Sequence, residues 1–292
     1  MNIKSCCIGA ALWLCLAPAL HAQGLLGGFM QGAGRTTVAL SYSSEWYDKY
    51  YIANRETTNP GLGTISTSSV SMYAVSGITS WLDVVANVPW VRASSNAGFW
   101  APVGALQDLS FALRARPYYT TFDDGQLDVM VAGAVGFPVT NYPTDQPVTV
   151  GHGATSIDGR LIVQYRAWSG PFISAQAGYI GRGKVSVDRG FDVDVPDAFE
   201  ISARAGIALT SWYGDVWVQS QVAQSGTSIG PGVAFPSNGQ NFVRVGGTLV
   251  YNLIPNFSLM AGIAGTLDGR NVGQATRVSG GIIYNLPVWG GL

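Results

Sequence analysis

Residues 107–137 alternate between apolar and polar positions with a period of two. Leu109, Phe111, Leu113 and Ala115 fall on one side, Asp108, Ser110, Ala112, Arg114 and Arg116 on the other. Successive side chains leave an extended backbone on opposite faces, so this run predicts a strand with one apolar face. A turn-rich patch, Phe122-Asp123-Asp124-Gly125, leads to a second run, with Leu127, Val129, Val131, Gly133 and Val135 against Asp128, Met130, Ala132, Ala134 and Gly136. The pair predicts a β-hairpin. Its polar face has to meet water, either outside a soluble sandwich or inside a barrel.

The same rhythm recurs along the chain. Before the hairpin it predicts strands over residues 35–44, 67–77 and about 82–92, the last setting Leu82, Val84, Ala86, Val88 and Trp90 against Asp83, Val85, Asn87 and Arg92. After it, Ile157, Leu161, Val163 and Tyr165 oppose Asp158, Arg160, Gln164 and Arg166, and a strand over 171–181 follows. Phe199, Ile201, Ala203, Ala205 and Ile207 oppose Glu200, Ser202 and Arg204. Val216, Val218 and Val222 oppose Asp215, Trp217, Gln219 and Gln221. Val243, Val245, Leu249 and Tyr251 oppose Arg244, Thr248 and Asn252. Phe257, Leu259, Ala261 and Ile263 make an eleventh apolar face, and Val278, Ile282 and Tyr284 oppose Arg277, Ser279 and Asn285 in a twelfth strand.

The count is even, and the runs approach the ~9–11 residues a tilted strand needs to cross a bilayer. Connections alternate long and short, as they do when turns lie in the periplasm and loops outside. A soluble sandwich has no reason to alternate its loops. Nor would it keep charge off the same face of strand after strand. The expected fold is an all-β transmembrane antiparallel β-barrel of about 12 strands, with short periplasmic turns, long outer loops and no open edge in lipid. Trp81, Trp90, Tyr118, Tyr119, Trp168, Trp212, Tyr213, Tyr251 and Tyr284 bunch near strand ends, where interfacial girdles belong.

Composition agrees. Charged residues are 11% of the 292, against about 25% in an ordinary soluble domain. With 16 Lys+Arg against 17 Asp+Glu, nothing favours a nucleic-acid partner. Residues 1–22 hold Lys4, an apolar stretch from Ile8 to Ala17 and a small residue at the exit, Ala22, which predicts a cleavable secretory signal with residues 23–292 forming the barrel. All three cysteines, Cys6, Cys7 and Cys15, lie in that signal, leaving the remainder without disulfide, thiolate metal site or cysteine nucleophile. A glycine-rich segment, residues 24–34, follows, as either a short periplasmic tail or a segment tucked into the lumen.

A catalytic site is not expected, and no metal or cofactor is implied. His152, flanked by Gly151 and Gly153 in an outer loop, has only Asp145 and Asp158 as nearby acids in the sequence and no nucleophile in a recognisable motif. What remains is the lumen. Asp83, Arg92, Asp108, Arg114, Arg116, Asp128, Asp158, Arg160, Arg166, Glu200, Arg204, Arg244 and Arg277 are the expected lumen-lining residues, with Asp215 beside them. Such residues either fill a narrow barrel with ion pairs or line a polar channel that selects solutes.

One stretch resembles a known family. Gly104 to Arg114, the hairpin, and Ala132-Gly133-Ala-Val-Gly-Phe-Pro138-Val-Thr140 are similar to the bacterial outer-membrane family of meta-pathway phenol-degradation proteins, often called simply "transporter". Ile78 to Asp83 with Val88-Pro89-Trp90-Val91 resembles the strand before that motif, and Pro138-Val-Thr140-Asn141 stands where the family has Pro-Thr-Gly. The resemblance implies an outer-membrane channel for passive uptake of small solutes, hydrophobic or aromatic ones among them, with the outer-membrane bilayer as its partner. The alternative from a different class is a non-conducting structural or adhesive barrel presenting Trp46, Tyr47, Tyr50, Phe99 and Trp100 to a partner. An outer-membrane lipid hydrolase using His152 comes third.

Overall fold

The computed structural model describes residues 26–58, 61–144, 148–187, 190–224, 226 and 238–286. The signal at 1–22 with its cut, and Asp145, lie outside them. Twelve long strands close into an antiparallel barrel. They are β1 (Thr36–Tyr47), β2 (Ile65–Gly77), β3 (Leu82–Ser95), β4 (Leu109–Thr121), β5 (Gly125–Phe137) and β6 (Ser156–Ala167). The second half is β7 (Pro171–Arg182), β8 (Ala198–Ala208), β9 (Trp212–Ala223), β10 (Asn241–Ile254), β11 (Phe257–Arg270) and β12 (Thr276–Leu286). Each pairs with the next in sequence, and β12 returns to β1 from Thr36↔Leu286 to Trp46↔Thr276. Closure pairs every strand on both sides, which a backbone in lipid requires.

Alternation sorts the side chains as the sequence implies. Leu40, Met72, Leu113, Ile173, Ile201 and Val216 are about half exposed on the outside, while Val85, Met130, Ile162, Asp83 and Asp215 are buried inside. In water an apolar belt of this extent would aggregate; against acyl chains it is the matched surface. Trp81, Trp168, Trp212 and Tyr251 are exposed near the periplasmic turns, with the rings of Trp212 and Tyr251 4.5 Å apart. Tyr213 departs from this girdle. It turns inward, stacks on Phe172 at 5.5 Å and donates to Asp215 at 2.6 Å. The tightest turn, Pro255-Asn256, places Asn256 at φ 68°, a left-handed conformation that asparagine tolerates better than most residues.

The outer loops do not stand free. Lys49–Ile52 pairs with Arg55–Thr58 and with Val272–Gly273, Val103–Leu106 pairs with the outer end of β3, and Lys184–Ser186 pairs with Asp192–Asp194. Beneath them Tyr50, Leu62, Ile65, Val91, Ala93, Val148 and Val150 form one buried cluster, with Tyr47, Trp100, Val103, Ala105 and Tyr142 packed against it. Each fully buried aliphatic side chain of this kind contributes roughly 1.5–3 kcal/mol. The outer mouth therefore carries an apolar lid.

Candidate functional site

The lumen is where chemistry collects, and its central occupant is the glycine-rich segment. Residues 26–35 run from the periplasmic rim up into the barrel. Leu26 is buried among Val75, Val85, Ala112, Met130 and Ile162 on five different strands, and Met30 packs against the same cluster. Phe29 meets Phe172 edge-on at 5.0 Å. Gln176 donates from Nε2 to the Leu26 carbonyl at 3.0 Å. Glycines suit this segment because it has to run close to the wall. At the rim Gly34 N–H donates to the Gly77 carbonyl and Gly77 N–H to the Arg35 carbonyl, both at 2.9 Å. Gly32 turns there at φ 82°, open to glycine at little cost.

A Cβ at position 77 would collide with the Gly32 carbonyl. Gly77→Val is therefore expected to push the segment off the rim while β2, which favours β-branched residues, stays formed. Protease cleavage within 26–35 should rise in the folded variant. Unchanged protection would show that the segment tolerates the side chain.

Two wall residues hold the segment by charge. Arg114 on β4 donates from Nη1 to the Gly27 carbonyl, and from Nη2 to the Phe29 carbonyl and to Asp83 Oδ2, each of the latter at 2.5 Å. Asp83 Oδ2 also accepts the Gln31 N–H at 3.0 Å. Both side chains are almost fully buried, at 3% and 0% exposed. Arg114 sits opposite Asp83 because β3 and β4 pair Asp83↔Arg114.

The other inward charges mostly satisfy one another across strands. Arg116 pairs with Asp128 at 3.0 Å, just where β4 bulges against β5 between Ala115 and Tyr118, and its Nη2 donates to the Ser80 carbonyl. Arg160 lies between Asp158, at 2.6 Å, and Glu200. Arg204 reaches Asp215 at 3.2 Å. Arg277 reaches Glu45 at 2.5 Å. Arg166 and Arg244 face inward with no carboxylate of the described residues within 4.0 Å.

One expected lumen residue lies outside the barrel, and another sits at its outer rim. Arg92 is even-numbered on a strand whose inward residues are odd; it shares Trp90's face and is exposed outside, its stem along Gly104. Asp108 precedes β4 at the outer rim, where Tyr142 donates to it at 2.6 Å. Burial there pushes its carboxyl above the ordinary range, and the Tyr142 bond partly offsets this. Conversely, Glu45 and Arg182 belong to β1 and β7 rather than to the loops. The alternation Ser41, Ser43, Glu45 shows this for Glu45. Arg182 reaches Gln221 Oε1 only at 3.4 Å, from a strand end that sequence does not mark.

His152 is exposed in its loop, and among the described residues no group of His, Cys, Asp or Glu is placed to hold a metal. The loop aromatics are not displayed as a set. Tyr50 is buried, Tyr47 and Trp100 pack into the lid, and Phe99 stands clear of it.

A family model described as "Putative MetA-pathway of phenol degradation" matches residues 50–280. No curated protein matches the chain. Among solved structures, the COG4313 outer membrane channel from Pseudomonas putida F1 superposes with a TM-score of 0.73 at 10% identity, covering 92% of this chain and 100% of that one. The NanC porin superposes at 0.51 and 8% identity, covering 86% and 100%. Both share the fold: a closed barrel with an apolar belt, built for the bacterial outer membrane.

Proposed function

We propose, for a chain that belongs to the family described as "Putative MetA-pathway of phenol degradation", a channel for passive uptake of small solutes, stoppered by its own residues 26–35. Hydrophobic or aromatic solutes are the class in view. One observation carries the reading. The segment joins the wall covalently only through Arg35–Thr36, and inside the lumen it is held by hydrogen bonds to Arg114 and Asp83 that can break while the barrel stays closed. A barrel meant only as a membrane anchor has no need of a separable filling; side chains from its own strands would do. The apolar lid favours solutes with apolar surface, since these lose least on leaving water at the outer mouth. Presentation of loop aromatics to a partner is less well supported, because Tyr50, Tyr47 and Trp100 are committed to the lid.

The test is reconstitution. Purified protein in liposomes is expected to speed the flux of small aromatic alcohols over protein-free liposomes. In planar bilayers it should show a small basal conductance. Protein that is folded, inserted, silent and impermeable overturns the proposal.

A further inference from the structure

The outer half of the lumen holds a guanidinium with no carboxylate of the described residues within 4.0 Å. Arg244 on β10 donates from Nε to Thr266 Oγ1 at 3.1 Å on β11, and its plane lies over the Phe242 ring at 4.6 Å. These contacts fix the stem and commit Nε, leaving the fork of the two terminal nitrogens to face the lumen. Glu45, Arg277 and the Tyr47 phenol act on it electrostatically. Glu45 is already engaged by Arg277, through Nε at 2.7 Å and Nη2 at 2.5 Å. Among the described residues the cluster therefore has two guanidiniums against one carboxylate, a surplus of one positive charge (2 − 1).

That surplus lies under the apolar lid, where a charge is screened far less than on an open surface. Tyr47 joins the two regions. It packs against the lid cluster of Tyr50, Leu62 and Ile65, and it lies in the electrostatic neighbourhood of Arg244. An oxyanion on the fork would thus have an aromatic ring on one side and an apolar ceiling above. A planar fork fits the two oxygens of a carboxylate better than it fits a spherical ion. Arg182 offers no equal site, since it is spent on the Pro196 carbonyl and Gln221.

We propose that Arg244, backed by Arg277 and flanked by Phe242 and Tyr47, binds a monocarboxylate that carries an apolar ring or chain. The assignment names a solute class for the channel and rests on that reading only in taking the ligand as permeant.

The experiment separates binding from flux. Full-length protein in detergent micelles is dialysed to equilibrium against radiolabelled benzoate or benzyl alcohol, with protein-free micelles subtracted. Benzoate should bind in preference to the neutral alcohol. Arg244→Gln should weaken benzoate binding about tenfold, the scale of one lost charge-assisted contact, and leave the alcohol unchanged. Arg166→Gln, near the periplasmic end of β6, should alter neither. Heat-modifiable electrophoretic mobility checks that each variant is folded. If Arg244→Gln does not fold, Thr266→Val keeps the charge, frees its stem and should weaken benzoate severalfold. Equal binding of the two probes overturns the site, as does benzoate binding that survives Arg244→Gln or falls equally with Arg166→Gln. A barrel that binds benzoate in dialysis but passes nothing in liposomes would sink the channel and leave the site standing.

Discussion

Arg114→Ala is expected to open the barrel. The side chain makes two hydrogen bonds to the carbonyls of the lumen segment, at Gly27 and Phe29, and pairs with Asp83. Hydrogen bonds from a charged donor contribute about 1.5–3 kcal/mol each. The substitution also leaves Asp83 fully buried without its partner, a loss of roughly 3–5 kcal/mol in comparable sites. What then holds the segment is Leu26, at about 1.5–3 kcal/mol, with Phe29, Met30 and the Gln176 and Gly77 hydrogen bonds. Loss of the charged contacts shifts the balance toward release, so the segment should spend more of its time out of the lumen. Single-channel conductance should rise severalfold over wild type, and protease should reach 26–35 in the folded protein. Conductance at the wild-type level with a protected segment would mean that Leu26, Phe29 and Met30 hold it unaided.

Arg160→Ala is expected to give an equally large effect of a different kind. Arg160 is 4% exposed and lies between Asp158 and Glu200, with no contact to residues 26–35. Its loss leaves two carboxylates close together in a dry part of the wall, again roughly 3–5 kcal/mol. The temperature of heat-modified mobility and the urea midpoint should fall markedly, while conductance below the transition stays at the wild-type level. Adding Asp158→Asn and Glu200→Gln should recover part of the stability, because neutral amides neither repel one another nor need a counter-ion. A variant as stable as wild type would show that water already reaches these carboxylates. The two arginines look alike in sequence, each inward on a strand. Only one touches the segment.

That contrast marks how much was legible beforehand. Apart from the bulge between Ala115 and Tyr118, the hairpin at 109–137 needed no tertiary information, because a period of two assigns side chains to faces. Asp83, Arg114, Arg116, Asp128, Asp158, Arg160, Glu200, Arg204 and Arg277 all lie inward where parity puts them. Arg92 departs from the expectation, since it shares the outward face of Trp90 and not the inward face of Asn87. Tyr213 and Glu45 mark strand ends, which blur in sequence because pairing continues for as long as a neighbour is present to accept it.

By itself, then, the sequence determined the strands, their two faces, the closed fold and the environment that such faces require. It did so because those properties depend on local alternation and on loop length. The tertiary structure alone decided where residues 26–35 lie, since a run of glycines has no face and no period. It also decided which carboxylate neutralises which arginine. Partners such as Glu45 and Arg277 are 232 residues apart, and closure of β12 on β1 brings them to 2.5 Å. Register around a closed ring is a long-range property, so that Arg244 lacks a carboxylate among the described residues in the outer lumen, while Arg277 beside it has Glu45, emerges only once the strands are closed.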